Sequence, residues 1–168
     1  MTMSQHENTP GTSTTERLQR PQRRRQAPPQ MVPVPLDEPD MVAVDTTWGE
    51  LQPMSPAPGV ETIGELELMN LVADGALLVD GRTEQFFADS TLPGAISVPF
   101  NRAIERRGDL GDDALVILFC NGPQCPQSPT AIRNLVDDGF PADRIRYYRG
   151  GMHDWTTMAL PVVPGTPA

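Results

Sequence analysis

The chain alternates short, unbroken apolar runs with segments whose apolar positions recur every three or four residues. Leu115 to Phe119 is continuous apolar sequence, which predicts a strand buried on both faces of a parallel sheet. LLVD at 77–80, the end of LPGAISVP at 92–99 and IRYY at 145–148 predict three more strands. Thr62 and Glu65 have the spacing of a capping box, and Ile63, Leu66, Met69, Leu71 and Val72 continue a helix to about Asp74-Gly75. Glu84 to Ala88 predicts a helical turn, and Phe100 to Arg107 another short helix. Ser128 followed by Pro129 has the form of a hydroxyl N-cap with proline at the first helical position. Ile132, Leu135 and Val136 carry that helix over 129–138, and Gly139 stops it. Gly150-Gly151 breaks the last strand before a short amphipathic helix over 152–159. Strands alternating with helices at this spacing predict an α/β domain with a parallel sheet, whose ligands bind beyond the carboxyl ends of its strands. Cys120 stands at such an end.

Composition divides the chain. Residues 1–59 hold ten of the nineteen prolines and few large apolar side chains. The expected organisation is a disordered Pro/Arg-rich leader over 1–40, an extended strap over 41–59, one domain over 60–163 and a tail over 164–168. In the strap, Val42, Val44, Trp48, Leu51 and Met54 are the residues able to lie against a core.

The net charge of −9 is also divided. Residues 1–30 carry five Arg against Glu7 and Glu16, whereas 31–59 carry five acids and no base. The remainder has eight Arg against fifteen acids. An acidic domain argues against nucleic acid or an anionic membrane as partner, and RPQRRRQ at 20–26 reads as a solvated arm. The chain has no lysine, which is a matter of base composition in the source genome rather than of mechanism. Two cysteines are too few for a disulfide-stapled secreted fold. Neither a signal h-region nor a stretch of the ~20 apolar residues that a membrane span needs is readable. The economical expectation is a soluble protein of the reducing cytoplasm.

The candidate chemistry lies between strand and helix, where an eight-residue loop, 121–128, follows Cys120 and contains Cys125. Free N–H groups and the positive end of a helix dipole favour an anion at such a mouth, whether a thiolate or a bound oxyanion.

Four motifs in order, LLVDGRTEQF, LPGAISVPF, VILFC and YYRGGMHDW, resemble the rhodanese family over about residues 60–163. The resemblance implies a single domain with a central parallel sheet flanked by helices. It also implies a sulfurtransferase whose cysteine becomes a persulfide, taking sulfur from a small sulfur-containing anion and passing it to cyanide, a thiol or a protein acceptor, with no cofactor. Cys120, Gly122, Pro123 and Cys125 resemble a subgroup with a cysteine-x-glycine-proline-x-cysteine loop, about two residues longer than is usual. The loop carries no Arg or Lys, and Thr91 stands where many members have histidine; the long loop and its lack of cations weigh against thiosulfate as the physiological donor.

A persulfide is anionic near neutral pH, and a curled loop of amides holds it without side-chain charge. Pro123 and Pro126 lack an N–H, which leaves Asn121, Gly122, Gln124, Cys125, Gln127 and Ser128 as donors. Most are expected to point at the Cys120 sulfur, with Gly122 at positive φ. Against this stands a buried structural cysteine. Cys125 is the nucleophile instead, a resolving thiol or a passive residue; the strand-end position favours Cys120 as nucleophile. Arg82 lends potential to the site or, more in keeping with the resemblance, forms a structural ion pair. Arg149 is a rim cation or a plain surface residue, His153 a proton shuttle or a packed side chain, and Trp155 core. Two cysteines with His6 and His153 make no metal site.

Phosphatases that share the fold need an arginine six residues after the cysteine. Pro126 and Ala131 occupy that position relative to Cys120 and Cys125, so this reading fails. A non-catalytic module that senses redox state or binds a partner remains the alternative.

Overall fold

The computed structural model describes residues 34–35, 37, 42–43 and 51–166. Val34–Pro35 (β1) and Val42–Ala43 (β2) pair antiparallel, placing a short ladder across the boundary expected between leader and strap. The rest of the expected disordered leader, residues 41 and 44–50 of the strap and residues 167–168 of the tail lie outside the described residues.

The apolar runs become the centre of a five-stranded sheet. Leu77–Asp80 (β4) and Ile145–Tyr148 (β7) keep the limits read from sequence, while Val116–Phe119 (β6) starts one residue later than expected. Glu61–Thr62 (β3) and Ile96–Ser97 (β5) complete it in the order β3-β7-β6-β4-β5, every neighbouring pair parallel. Central β6 is buried along its whole length, as a strand covered on both faces must be.

The helices are Glu65–Ala73 (α1), Glu84–Asp89 (α2), Gln127–Asp137 (α3) and Gly151–Thr157 (α4). Alternate residues of the strands feed two cores. Val79, Val116, Leu118, Ile145 and Tyr147 pack with Ala131, Ile132 and Leu135 of α3. Leu78, Ile117, Phe119 and Tyr148 pack on the other face with Leu68 of α1 and with Met152 and Trp155 of α4. Trp155 meets Tyr148 edge to face with ring centroids 6.5 Å apart, so it is core, as expected.

Three local expectations are corrected. Thr62 makes no capping box: it pairs in β3 with Tyr147, its hydroxyl donates to the Met54 carbonyl, and α1 starts from Gly64 without a side-chain cap. The helix expected over 100–107 is instead two 3₁₀ turns, Phe100–Arg102 and Arg107–Leu110. The third correction is at α3, which begins at Gln127 because Pro126 already has helical backbone angles and its carbonyl accepts the first helical bond, from Thr130 N–H at 2.9 Å. Pro129 then lies inside the first turn, where its missing N–H would have had no intrahelical partner. Ser128 is thereby inside the helix rather than at its cap, and the loop shortens to 121–126.

The order in which strands are added reverses between β4 and β6: β4 leads through α2 to β5 on one side, and β6 through α3 to β7 on the other. A crevice opens beyond the carboxyl ends of strands at such a switch point. Asp80 and Cys120 stand at those carboxyl ends, both buried.

Candidate active site

Cys120 follows β6 and is buried, 1% exposed. Its backbone is held from α4, where Met152 N–H donates to Cys120 O at 3.0 Å and His153 N–H to Asn121 O at 2.8 Å. This approach requires glycine twice. Gly151 has φ +56°, and a Cβ on it would lie 2.2 Å from Cys120 O. Gly122 has φ +153°, the positive value expected, and a Cβ there would meet His153 Cβ at 2.8 Å.

Beyond Gly122 the loop doubles back. Cys125 N–H donates to Gly122 O at 2.9 Å, closing a turn that brings Cys125 to Cys120. The Cys120 thiol donates to Cys125 O at 3.5 Å, and the Cys125 thiol to Gln127 Oε1 at 3.4 Å. The Cys120 thiol thus lies against residue 125, and the surroundings of the two sulfurs separate them. Burial pushes Cys120 well above the ordinary thiol range, with the neighbouring Cys125 adding to the rise and the Ser128 hydroxyl and amide opposing it. Cys125 is lowered to about 7, first by the Cys120 thiol as a donor, then by the Gln127 and Asn121 amides and the charge of Arg82, against its own burial.

The expected cup around Cys120 is therefore divided between two sulfurs. Of the six amides, that of Ser128 opposes the rise at Cys120, those of Gln127 and Asn121 help to lower Cys125, and that of Cys125 is spent on the turn. Gln124 stands half-buried on the outer side of this turn. Among the described residues four buried polar side-chain atoms have no hydrogen-bond partner. Three of them, Ser128 Oγ, Asn121 Nδ2 and the Tyr147 hydroxyl, belong to the loop, α3 and β7 around the cysteines, Ser128 Oγ being the one that would donate to a Cys120 thiolate. Tyr147 lies within electrostatic reach of both cysteines, and burial raises its pKa further out of the working range. Its hydroxyl was not singled out from sequence, because IRYY reads only as a strand.

Arg82 is the structural ion pair that the resemblance favoured. Its guanidinium lies on Asp80, with Nε–Oδ1 at 2.9 Å and Nη2–Oδ2 at 2.7 Å, and Nη2 also donates to Ser90 O. Thr91 Oγ1 donates to the same carboxylate at 2.8 Å. Nη1 reaches Asn121 Oδ1 at 3.4 Å, which connects the pair to the loop. Arg149 is no free rim cation either. It donates from Nε and Nη2 to Gln52 O at 3.1 and 2.8 Å, and Gln52 N–H donates to Pro123 O at 2.7 Å. The visible end of the expected strap thus lies on the cysteine loop. His153 is half-buried with Nδ1 2.7 Å from Asp154 Oδ1.

Among the described residues no group of three or more His, Cys, Asp or Glu side chains is placed to hold a metal ion. Nor is any helix there long and apolar enough to cross a membrane.

Comparison with known proteins agrees with the motifs. The profile of the rhodanese-like domain matches residues 65–158. A sulfurtransferase of Allochromatium vinosum is 29% identical over 106 residues, 62% of this chain and 95% of that protein. The HTH-type transcriptional regulator Rv0324 of Mycobacterium tuberculosis is 32% identical over 90 residues, 54% of this chain but only 38% of the regulator. Among solved structures, the BH2092 protein of Bacillus halodurans superposes with a TM-score of 0.52 at 24% identity, covering 61% of this chain and 75% of that one, a likeness of fold.

Proposed function

The chain belongs to the rhodanese-like domain family, and from that premise we propose that it is a sulfurtransferase carrying sulfane sulfur as a persulfide on Cys120. The observation that carries this reading is the Cys120 thiol at the β6 end, folded against Cys125 with its Sγ 3.5 Å from Cys125 O and loop amides that favour an anion there. Ionisation of the pair near neutral pH leaves the charge mainly on Cys125, which accepts the Cys120 proton as Cys120 attacks a donor. With thiosulfate, the Cys120 sulfur bonds to the outer sulfur, the S–S bond of the donor breaks and sulfite leaves with the electron pair. Cyanide or a thiolate then takes the outer sulfur and returns the cysteine.

Ser128 Oγ, Asn121 Nδ2 and the Tyr147 hydroxyl, buried and unpartnered, are the donors available to the added sulfur. Arg82 and Arg149 support the loop through Asn121 and Gln52 rather than touching the sulfur. Both cysteines are almost fully buried, which suits small donors and acceptors. In this reading residues 60–163 form the cytoplasmic catalytic domain, and the leader serves a protein that accepts sulfur.

The test is intact mass after incubation with thiosulfate, mercaptopyruvate or inorganic polysulfide. Wild type gains about 32 Da and Cys120→Ser gains nothing. The likeness to part of a transcriptional regulator favours a second reading, a module that senses redox state or binds a partner without turnover. That reading prevails if Cys120→Ser leaves the cellular role intact.

A further inference from the structure

Resting on the sulfurtransferase reading, we propose that Cys125 is a resolving thiol that reduces the sulfane sulfur carried on Cys120 and expels it as hydrosulfide. The Cys125 thiolate attacks the inner sulfur, Cys120 Sγ. The persulfide reacts in its protonated form, the proton coming from water: the Cys120–Cys125 bond forms, the persulfide S–S bond breaks, and the outer sulfur leaves with the electron pair and that proton as hydrosulfide. The outer sulfur falls from the sulfane to the sulfide level and the two cysteine sulfurs rise to a disulfide, so no external oxidant enters. A dithiol reductant then restores both thiols and completes a cycle of sulfane-sulfur reduction.

Three observations place Cys125 in this role. The turn closed by Cys125 N–H on Gly122 O folds residue 125 back onto Cys120, whose Sγ lies 3.5 Å from Cys125 O. Cys125 is lowered first by the neighbouring Cys120 thiol and then by the Gln127 and Asn121 amides. When Cys120 carries the added sulfur, these amides and Arg82 remain to favour the Cys125 anion, once it has shed the proton taken during loading. Finally, both cysteines are sealed, 1% and 2% exposed, so a persulfide formed here meets Cys125 before any bulky acceptor.

The experiment uses the reduced full chain, loaded with inorganic polysulfide, desalted and followed with time by intact mass and by a colorimetric sulfide assay. In wild type the adduct of about +32 Da gives way to a species two hydrogens lighter than the reduced protein, with one equivalent of hydrosulfide released. Dithiothreitol then returns the reduced mass. Cys125→Ser, loaded at a pH high enough for Cys120 to ionise without its neighbour and then returned to the wild-type pH, keeps its adduct and releases no sulfide, and Cys125→Ala does the same if the serine variant folds poorly. A wild-type adduct that persists without sulfide release overturns the proposal and leaves the sulfurtransferase reading standing, as does a persulfide that peptide mapping finds settled on Cys125. Uptake of no sulfur by wild type or either variant overturns both.

Discussion

The guanidinium of Arg149 grips the backbone carbonyl of Gln52 with two nitrogens, at 3.1 and 2.8 Å, while the Gln52 amide holds the cysteine loop through Pro123 O. One residue ahead of the domain is thus pinned between the last strand and the candidate site.

Arg149→Met removes both bonds and keeps most of the packing. We expect a loss of about 1 kcal/mol, the value of hydrogen bonds from a charged donor after discounting for partial exposure. Faster amide exchange at Gln52 should accompany it, along with faster loading by bulky polysulfide than by thiosulfate. Unchanged exchange at Gln52 would contradict the contact.

Arg82 and Asp80 are 1% and 0% exposed, so their pair has no water to fall back on. Arg82→Met leaves the carboxylate with Thr91 Oγ1 and the Arg82 backbone N–H position as its remaining donors. The expected cost is about 3–5 kcal/mol in urea unfolding, the usual penalty for an orphaned buried charge. Loss of the Arg82 charge also removes one of the causes holding Cys125 down, so its thiol should ionise at higher pH.

Tyr147 carries a buried hydroxyl with no partner. Tyr147→Phe should therefore raise stability by about 1 kcal/mol, since an unsatisfied group is removed without leaving a cavity. If the hydroxyl serves the added sulfur, loading slows several-fold in the same variant. Stability and loading moving in opposite directions would separate a functional donor from a packing residue.

Loading should depend on pH through the thiol pair. Cys125 is lowered to about 7, so its anion is half formed near that pH, falls away as pH drops below it and approaches completion as pH rises above it. The loading rate should climb as pH rises through 7 and then level off. In Cys125→Ser only Cys120 remains, and burial places it above the ordinary thiol range, so the climb should shift well to higher pH. Stopped-flow loading between pH 5.5 and 9.5 measures both midpoints.

Much of the domain was legible in the chain. LLVD and IRYY begin and end as strands where their apolar runs begin and end, because a strand buried on both faces needs nothing but such a run. The cysteine at the end of β6 and the glycine pair at 150–151 were likewise visible as local chemistry. Thr62 was misread because a hydroxyl three residues before a glutamate caps a helix only if no strand claims it, and Tyr147 does so from 85 residues away in sequence. Ser128 was misread because Pro126 could take up helical angles ahead of it.

What the sequence by itself determined is the alternating pattern, the parallel sheet and the delivery of a cysteine to a helix mouth, all of which rest on hydrophobic period and local backbone preference. Only the tertiary structure decided which sulfur the amides serve, how Arg82 and Arg149 are spent, and that Gln52 lies on the loop. Those outcomes depend on distances between segments far apart in the chain and on how completely each group loses its water, and neither is encoded in the residues on either side of it.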